Sequence, residues 1–149
     1  MKFKTLFFAS LVFCSSLVNA EWVVQQKSIK TFDKFAKTDE VELYTGDMVL
    51  HDFENLPKEG HKFVLVKIIT QNQDTTIPPF DSMYFQLTTE QNTYSRTEDK
   101  FLLNYGIKPF TRLKIRKGTH EGELLFEVPI TELTKTPTLF YKGEKVKCD

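Results

Sequence analysis

The fold is decided by the stretch Gly60-His61-Lys62-Phe63-Val64-Leu65-Val66-Lys67-Ile68-Ile69-Thr70-Gln71-Asn72. Its β-branched and aromatic residues favour a strand that begins after a glycine turn and ends at an asparagine. One face carries Val64, Val66, Ile68 and Thr70, and the other carries Phe63, Leu65, Lys67 and Ile69. Because both faces are mostly apolar, the sequence predicts that this strand is central in its sheet.

Short strands separated by turn signals are predicted along most of the remaining chain. Strands are expected at 22–32, 41–44, 48–51, 83–88 and 139–141, and a polar loop is expected at 34–40. A further hairpin pairs 111–116 with 123–128 around the turn 117–120. No stretch has a convincing helical period, so the pattern predicts an all-β protein, an antiparallel β-sandwich of seven to eight strands.

The alternation also predicts which side chains form the core. Val64, Val66 and Ile68 are expected to face Leu124, Phe126 and Val128 across the sandwich. At about 2 kcal/mol each, eleven buried side chains contribute on the order of 20 kcal/mol before chain entropy is counted. The eleven are Val64, Val66, Ile68, Met83, Phe85, Leu87, Leu113, Ile115, Leu124, Phe126 and Val128.

The first twenty residues have the pattern of a signal peptide. Lys2 and Lys4 precede an apolar run, and Val18-Asn19-Ala20 is typical of a cleavage site. The run is too short for a permanent membrane anchor. Cys14 leaves a lipoprotein as an alternative, although the preceding Phe13 is too bulky for lipidation. The expected organisation is therefore a signal peptide at 1–20, a sandwich domain at 21–143 and a charged tail at 144–149, in a protein that is secreted or periplasmic.

Cleavage after Ala20 would leave 129 residues with 18 basic and 20 acidic side chains, a formal net charge of −2. A nearly neutral chain lacks the overall basic character of a nucleic-acid-binding protein. It would also leave Cys148 as the one cysteine, in a tail where disorder is the default. Two interpretations remain open: an incidental thiol, or an intermolecular disulfide that links a dimer.

Three motifs in order resemble a known group of domains. Gly60-x-Lys62-Phe63-Val64-x-Val66 runs into Asn72, Ser82-x-x-Phe85-x-Leu87 precedes Tyr94, and Gly122-x-Leu124-x-Phe126-x-Val128-Pro129 precedes Leu139-x-Tyr141. Over residues 40–142 this resembles the bacterial secreted immunoglobulin-like domains of unknown function, related in fold to the mycobacterial immunoprotective extracellular antigen. The resemblance implies an immunoglobulin-like sandwich, exported or surface-attached, with no established catalytic activity and no catalytic residues. This chain lacks the lipobox and the Ser/Thr-rich linker of many relatives.

Two segments are candidates for partner binding. The aromatic-rich segment at 96–109 carries Phe101, Leu103 and Tyr105, which would form either a binding patch on a loop or a plug over the sandwich. The basic row Arg112, Lys114 and Arg116 would suit an anionic ligand, but outward Glu123 and Glu127 on the hairpin partner could equally neutralise it.

Catalytic and metal sites have weaker support. The serines that follow the signal sequence lie outside a Gly-x-Ser-x-Gly elbow, and no carboxylate pair stands out for acid–base chemistry, so no enzyme activity and no cofactor are expected. Met48 and His51 are weak candidates for copper, because thioether and imidazole suit Cu(I) but the two positions point to opposite faces of one strand. The alternative is Met48 in the core and the histidines on turns.

The sequence thus predicts an exported, non-enzymatic immunoglobulin-like protein that binds another protein or an envelope component. A periplasmic copper-binding protein is the alternative. A third interpretation is an accessory of envelope assembly, in which an uncharged sheet edge captures another protein's strand.

Overall fold

Extended backbone dominates the computed structural model, which describes residues 22–72, 80–110 and 117–149. Three short 3₁₀ helices, Ser82–Tyr84, Lys100–Tyr105 and Ile130–Glu132, interrupt the strands in this part of the chain. None of the described helices is long and apolar enough to cross a membrane. The described strands are β1 (Val23–Phe32), β2 (Phe35–Glu42), β3 (Met48–Asn55), β4 (His61–Asn72), β5 (Phe85–Thr88), β6 (Thr93–Ser95), β7 (Gly118–Pro129), β8 (Thr138–Tyr141), β9 (Glu144–Lys145) and β10 (Lys147–Cys148).

Two four-stranded sheets form the layers of the molecule. The first sheet has the order β10-β1-β4-β7, and the second has the order β6-β5-β8-β9. The prediction of an all-β sandwich is confirmed, and β4 is central because it pairs antiparallel with both β1 and β7. The described residues contain ten strands, not seven or eight, and β1 and β10 pair in parallel.

The inner core lies between the two sheets. From the first sheet it takes Val64, Val66, Ile68, Leu124, Phe126 and Val128, which are all buried as predicted. The expectation that these two groups face each other across the sandwich is wrong, since Val64 is registered with Phe126 and Val66 with Leu124 on adjacent strands. Both strands are 12 residues long and pair along their whole length. The opposing layer is supplied by Phe80, Phe85, Leu87 and Leu139.

Met83 is the described member of the predicted core that the structure places outside it. The residue is 60% exposed because it lies in a 3₁₀ turn, where the side chains do not alternate as they do in a strand. The Asp81 carboxylate caps this turn by accepting a hydrogen bond from the Met83 amide at 3.0 Å. Leu113 and Ile115 lie outside the described residues, as does the predicted strand at 111–116.

The outer core covers the other face of the first sheet. It consists of Phe35, Phe63, Leu65, Leu102 and Leu125, with Phe32, Phe101, Tyr105 and Ile107 packed around it. Phe63 and Leu65 lie on the second face of β4, so part of that face is buried as well. The long central strand thereby organises two separate cores.

The C-terminal residues belong to the sandwich, which corrects the prediction of a tail at 144–149. β9 pairs with β8 in the second sheet and β10 pairs with β1 in the first, so the chain crosses between layers at Val146. Val146 is buried in the inner core, and its amide donates to the Leu139 carbonyl at 2.9 Å. The charged side chains around it point outward, which is why the composition looked like that of a tail.

Two further corrections concern strand boundaries. Residues 35–40 of the predicted loop 34–40 form most of β2, in which exposed side chains alternate with buried or half-buried ones. Residues 118–120, predicted as part of a turn, belong to β7 and pair with β4.

Candidate interaction site

The strands β2 and β3 form a hairpin that belongs to neither layer. They pair with each other over eight residues as a separate two-stranded sheet, in which neither pairs with a further strand among the described residues. At about 3.4 Å per residue the paired region is about 27 Å long. We call this hairpin, residues 35–55, the arm.

The turn of the arm is well specified by its residues. The Leu43 amide donates to the Asp47 carbonyl at 2.8 Å, and the Gly46 amide donates to the Leu43 carbonyl at 2.8 Å. Gly46 has a φ of 83°, which favours glycine, and the Thr45 hydroxyl donates to the Asp47 carboxylate at 2.9 Å. Residues 45–47, which separate the predicted strands 41–44 and 48–51, therefore belong to a turn.

Alternation gives the arm two different faces. The neutral face carries one lysine and one aspartate among mostly apolar or aromatic residues, whereas the acidic face is fully exposed and carries four carboxylates. The neutral face comprises Phe35, Lys37, Asp39, Val41, Val49, His51, Phe53 and Asn55. The acidic face comprises Ala36, Thr38, Glu40, Glu42, Met48, Leu50, Asp52 and Glu54.

The free end of the arm exposes large apolar side chains. Tyr44 has a relative exposure of 109% and Leu50 of 73%, and Leu43 and Met48 are also exposed. Single exposed apolar residues are ordinary on a protein surface, but four of them at one projecting end are typical of an interaction site.

The root of the arm, in contrast, is fixed to the sandwich. Phe35 is buried in the outer core, and its ring lies 5.3 Å from that of Phe63 and 5.5 Å from that of Tyr105. The Tyr105 hydroxyl donates to the Asn55 side-chain oxygen at 2.8 Å, which fixes the other strand of the arm. The Lys34 ammonium lies 2.6 Å from Glu54, and this hydrogen bond raises the lysine pKa.

The aromatic segment that supports this root is a plug, as one of the two interpretations predicted. Within the plug (residues 100–107), Leu102 is fully buried and Phe101 and Tyr105 pack against the outer core. Leu103 differs, since it is 64% exposed and points away from the core. A shallow cavity of about 470 Å³ lies between the root and the plug, and its walls include Phe32, Lys37 and Ile107.

A buried ion pair holds the plug in place. Arg96 donates to Asp99 at 2.7 Å, to the Phe110 carbonyl at 2.9 Å and to the Ser82 hydroxyl at 2.9 Å. The Arg96 and Asp99 side chains are almost fully buried. In the sequence, Ser82 and Asp99 precede the plug and Phe110 follows it, so Arg96 joins both ends of the plug. The plug is therefore a rigid support for the arm.

The structure disperses the other candidate residues. Met48 and His51 lie on opposite faces of β3 and both are exposed, so the pair is not brought together and Met48 is not in the core. His51, His61 and His120 lie in strands, not turns. In the described part of the chain, no group of three or more His, Cys, Asp or Glu side chains could hold a metal ion.

Only some of the remaining candidates belong to the residues that the structure describes. Arg112, Lys114 and Arg116 fall outside the described residues. Glu123, expected to neutralise them, is registered with Lys67 of β4, and partial burial raises its pKa. Glu127 lies 3.9 Å from Lys58. Cys148 has an exposed thiol at the parallel pairing with Gln26, and the intermolecular disulfide stays a prediction.

The arm is the feature that the sequence interpretation missed. Its signal was present as two alternating segments, 35–42 and 48–55, around a glycine turn, but the polar composition of 34–40 favoured a loop. Both edges of the arm carry charged residues, which discourage pairing with another strand. Capture of a foreign strand, which requires an uncharged edge, is therefore not favoured at the arm.

Comparisons of the chain with protein-family models, with curated proteins and with solved structures found no match. The arm and its support are therefore the features from which a function is inferred.

Proposed function

We propose that this chain is an exported, non-enzymatic protein-interaction domain whose arm contacts the partner. The observation that carries the proposal is the arm itself, which forms a sheet separate from both layers and ends in exposed Leu43, Tyr44, Met48 and Leu50. A rigid scaffold that presents a projecting element is a common design of binding proteins. Tyrosine is enriched among residues that dominate interface energies, and Tyr44 is the most exposed large apolar side chain described.

Export is the second part of the proposal. It rests on the signal-peptide pattern of residues 1–20 and on the resemblance to secreted immunoglobulin-like domains. The mature protein is expected to begin at Glu21. Mass spectrometry of the protein recovered from the producing cells and their medium tests this, and a different first residue contradicts cleavage after Ala20.

Site-specific photocrosslinking tests the role of the arm. The photoreactive residue p-benzoylphenylalanine replaces Tyr44 at the tip, and in a matched control it replaces Tyr84, an exposed tyrosine on a 3₁₀ helix at the second sheet. Irradiation of producing cells is expected to give a discrete protein adduct at position 44 and none at position 84. Equal adducts at both positions, or none at position 44, would contradict the proposal.

A further inference from the structure

The charge of the arm is very different from that of the rest of the described chain. Residues 35–55 contain one lysine and six carboxylates, a net charge of −5. The other described residues contain 14 basic and 12 acidic side chains, a net charge of +2. Among the described residues, the negative charge is therefore concentrated on the arm.

Most of this charge lies on one side of the arm. Glu40, Glu42, Asp52 and Glu54 all belong to the acidic face, whereas Lys37 and Asp39 form an ion pair on the neutral face. Lys34 pairs with Glu54 at the root, and the other three carboxylates, Glu40, Glu42 and Asp52, repel one another on the exposed face. A positively charged surface would relieve this repulsion, and an anionic membrane or a nucleic acid would increase it.

The dimensions of the arm argue against a second copy of this chain as the partner. One face of a two-stranded ribbon about 27 Å long and about 10 Å wide covers about 270 Å². Two arms packed face to face would bury about 540 Å² in total, well below the roughly 1,200 Å² of a stable interface. Outside the arm, a second mature copy carries 17 basic and 14 acidic side chains, a net charge of +3, so it complements the charge of −5 on the arm only in part.

Resting on the proposed function, we infer that the arm binds a cleft in a different protein, with its acidic face against a basic wall and its apolar tip in a pocket. A cleft could cover the acidic face, the tip and the part of the neutral face beyond the root, so it would bury more surface than a second arm packed face to face. The basic wall would set the orientation and speed association, while Leu43 and Tyr44 would supply apolar contact.

The test uses photocrosslinking from the acidic face in the full-length chain. Leu50, which is registered with Glu40, is replaced by p-benzoylphenylalanine, and the adduct formed in producing cells is mapped by mass spectrometry. The expected adduct is a different protein, joined through a peptide with a net positive charge. An adduct with a second copy, with lipid, or with an acidic peptide would overturn the inference.

Charge variants supply the second readout. In the variant Glu40→Gln/Glu42→Gln, the yield of the adduct from position 50 is expected to fall about tenfold. This is equivalent to about 1.4 kcal/mol of binding free energy. The control Glu59→Gln/Glu144→Gln removes two exposed carboxylates outside the arm and is expected to leave the yield unchanged. If the yield of the adduct from position 44 were unchanged in Glu40→Gln/Glu42→Gln, the basic partner would be contradicted, but the proposed function would still hold. If p-benzoylphenylalanine at position 44 gave no adduct without the charge substitutions, both the basic partner and the proposed function would be contradicted.

Discussion

At the residue scale, burial separates side chains that have the same place in the sequence pattern. Phe126 has no exposed surface, whereas Met83 is mostly exposed, although alternation assigned both of them to the core. Phe126→Ala is expected to destabilise the protein by about 3–5 kcal/mol, because it removes an aromatic ring from a packed interior. Met83→Ala is expected to change stability by no more than about 0.5 kcal/mol. Urea unfolding of the two variants measures both values, and similar losses would contradict the described turn at Ser82–Tyr84.

Glu132 gives the stability a pH dependence. Its carboxylate accepts hydrogen bonds from the Thr89 hydroxyl and from the Asn92 amide, both at 2.7 Å, and these bonds lower its pKa, with the Thr89 bond as the largest cause. A lowered folded-state pKa means that the stabilisation is present above the unfolded value of 4.5 and is lost as the pH falls through the folded value.

The comparison that isolates this effect is between the parent and Glu132→Gln. The parent is expected to be more stable than the variant at pH 7, and the difference is expected to shrink steadily below pH 4.5. Thermal unfolding of both proteins across this range measures the difference. If the stability difference between the parent and Glu132→Gln were the same at all pH values, ionisation of the Glu132 carboxylate would not contribute to stability.

At the element scale, alternation was a good guide wherever a strand has a buried face. The β4 segment and residues 123–128 of β7 were placed correctly, because a period-two pattern of Val, Leu, Ile and Phe indicates a strand with a buried face. The alternation does not show which strands are neighbours, because it is the same for two strands adjacent in one sheet and for two strands in facing sheets. The arm was missed for a related reason: its strands pair with each other outside the core, so β2 needs only one large buried residue, Phe35.

The plug depends on a charged pair, not on apolar packing alone. The guanidinium of Arg96 joins Asp99, Ser82 and the Phe110 carbonyl, and its removal would leave the Asp99 carboxylate buried without this cation. Arg96→Ala is expected to cost about 3–5 kcal/mol. Arg96→Lys should recover only part of this loss, because an ammonium cannot reproduce the planar, forked donors. Chemical denaturation measures both variants, and full rescue by lysine would show that charge alone matters.

At the scale of the whole molecule, stability and recognition are assigned to different parts. Two cores on either side of the first sheet hold the sandwich together, and the arm shares only its root with the outer core. This division leaves the sequence of the arm beyond its root free to serve a partner. It also explains how four carboxylates can be placed on one face without harming the fold.

A shortened arm tests this division directly. Asp39 and His51 form a registered pair, so residues 40–50 can be replaced by an Asn-Gly turn that closes a shorter hairpin at that point. None of the eleven removed residues is buried, and Phe35 and Asn55 at the root are retained. The shortened protein is therefore expected to unfold within about 1 kcal/mol of the parent, as is usual for surface changes. It should also lose the partner that crosslinking at Tyr44 detects.

Hydrogen exchange on the parent gives an independent measurement. Amides of the arm beyond the root should exchange through local opening, at much lower free energy than those of β4, because few buried contacts hold them. If the arm amides were protected as strongly as β4, or if the shortened protein lost several kcal/mol, the arm would be part of the cooperative core. Its exposed tip and acidic face would then serve the fold and not a partner. Retained stability with lost crosslinking would instead assign folding to the sandwich and binding to the arm.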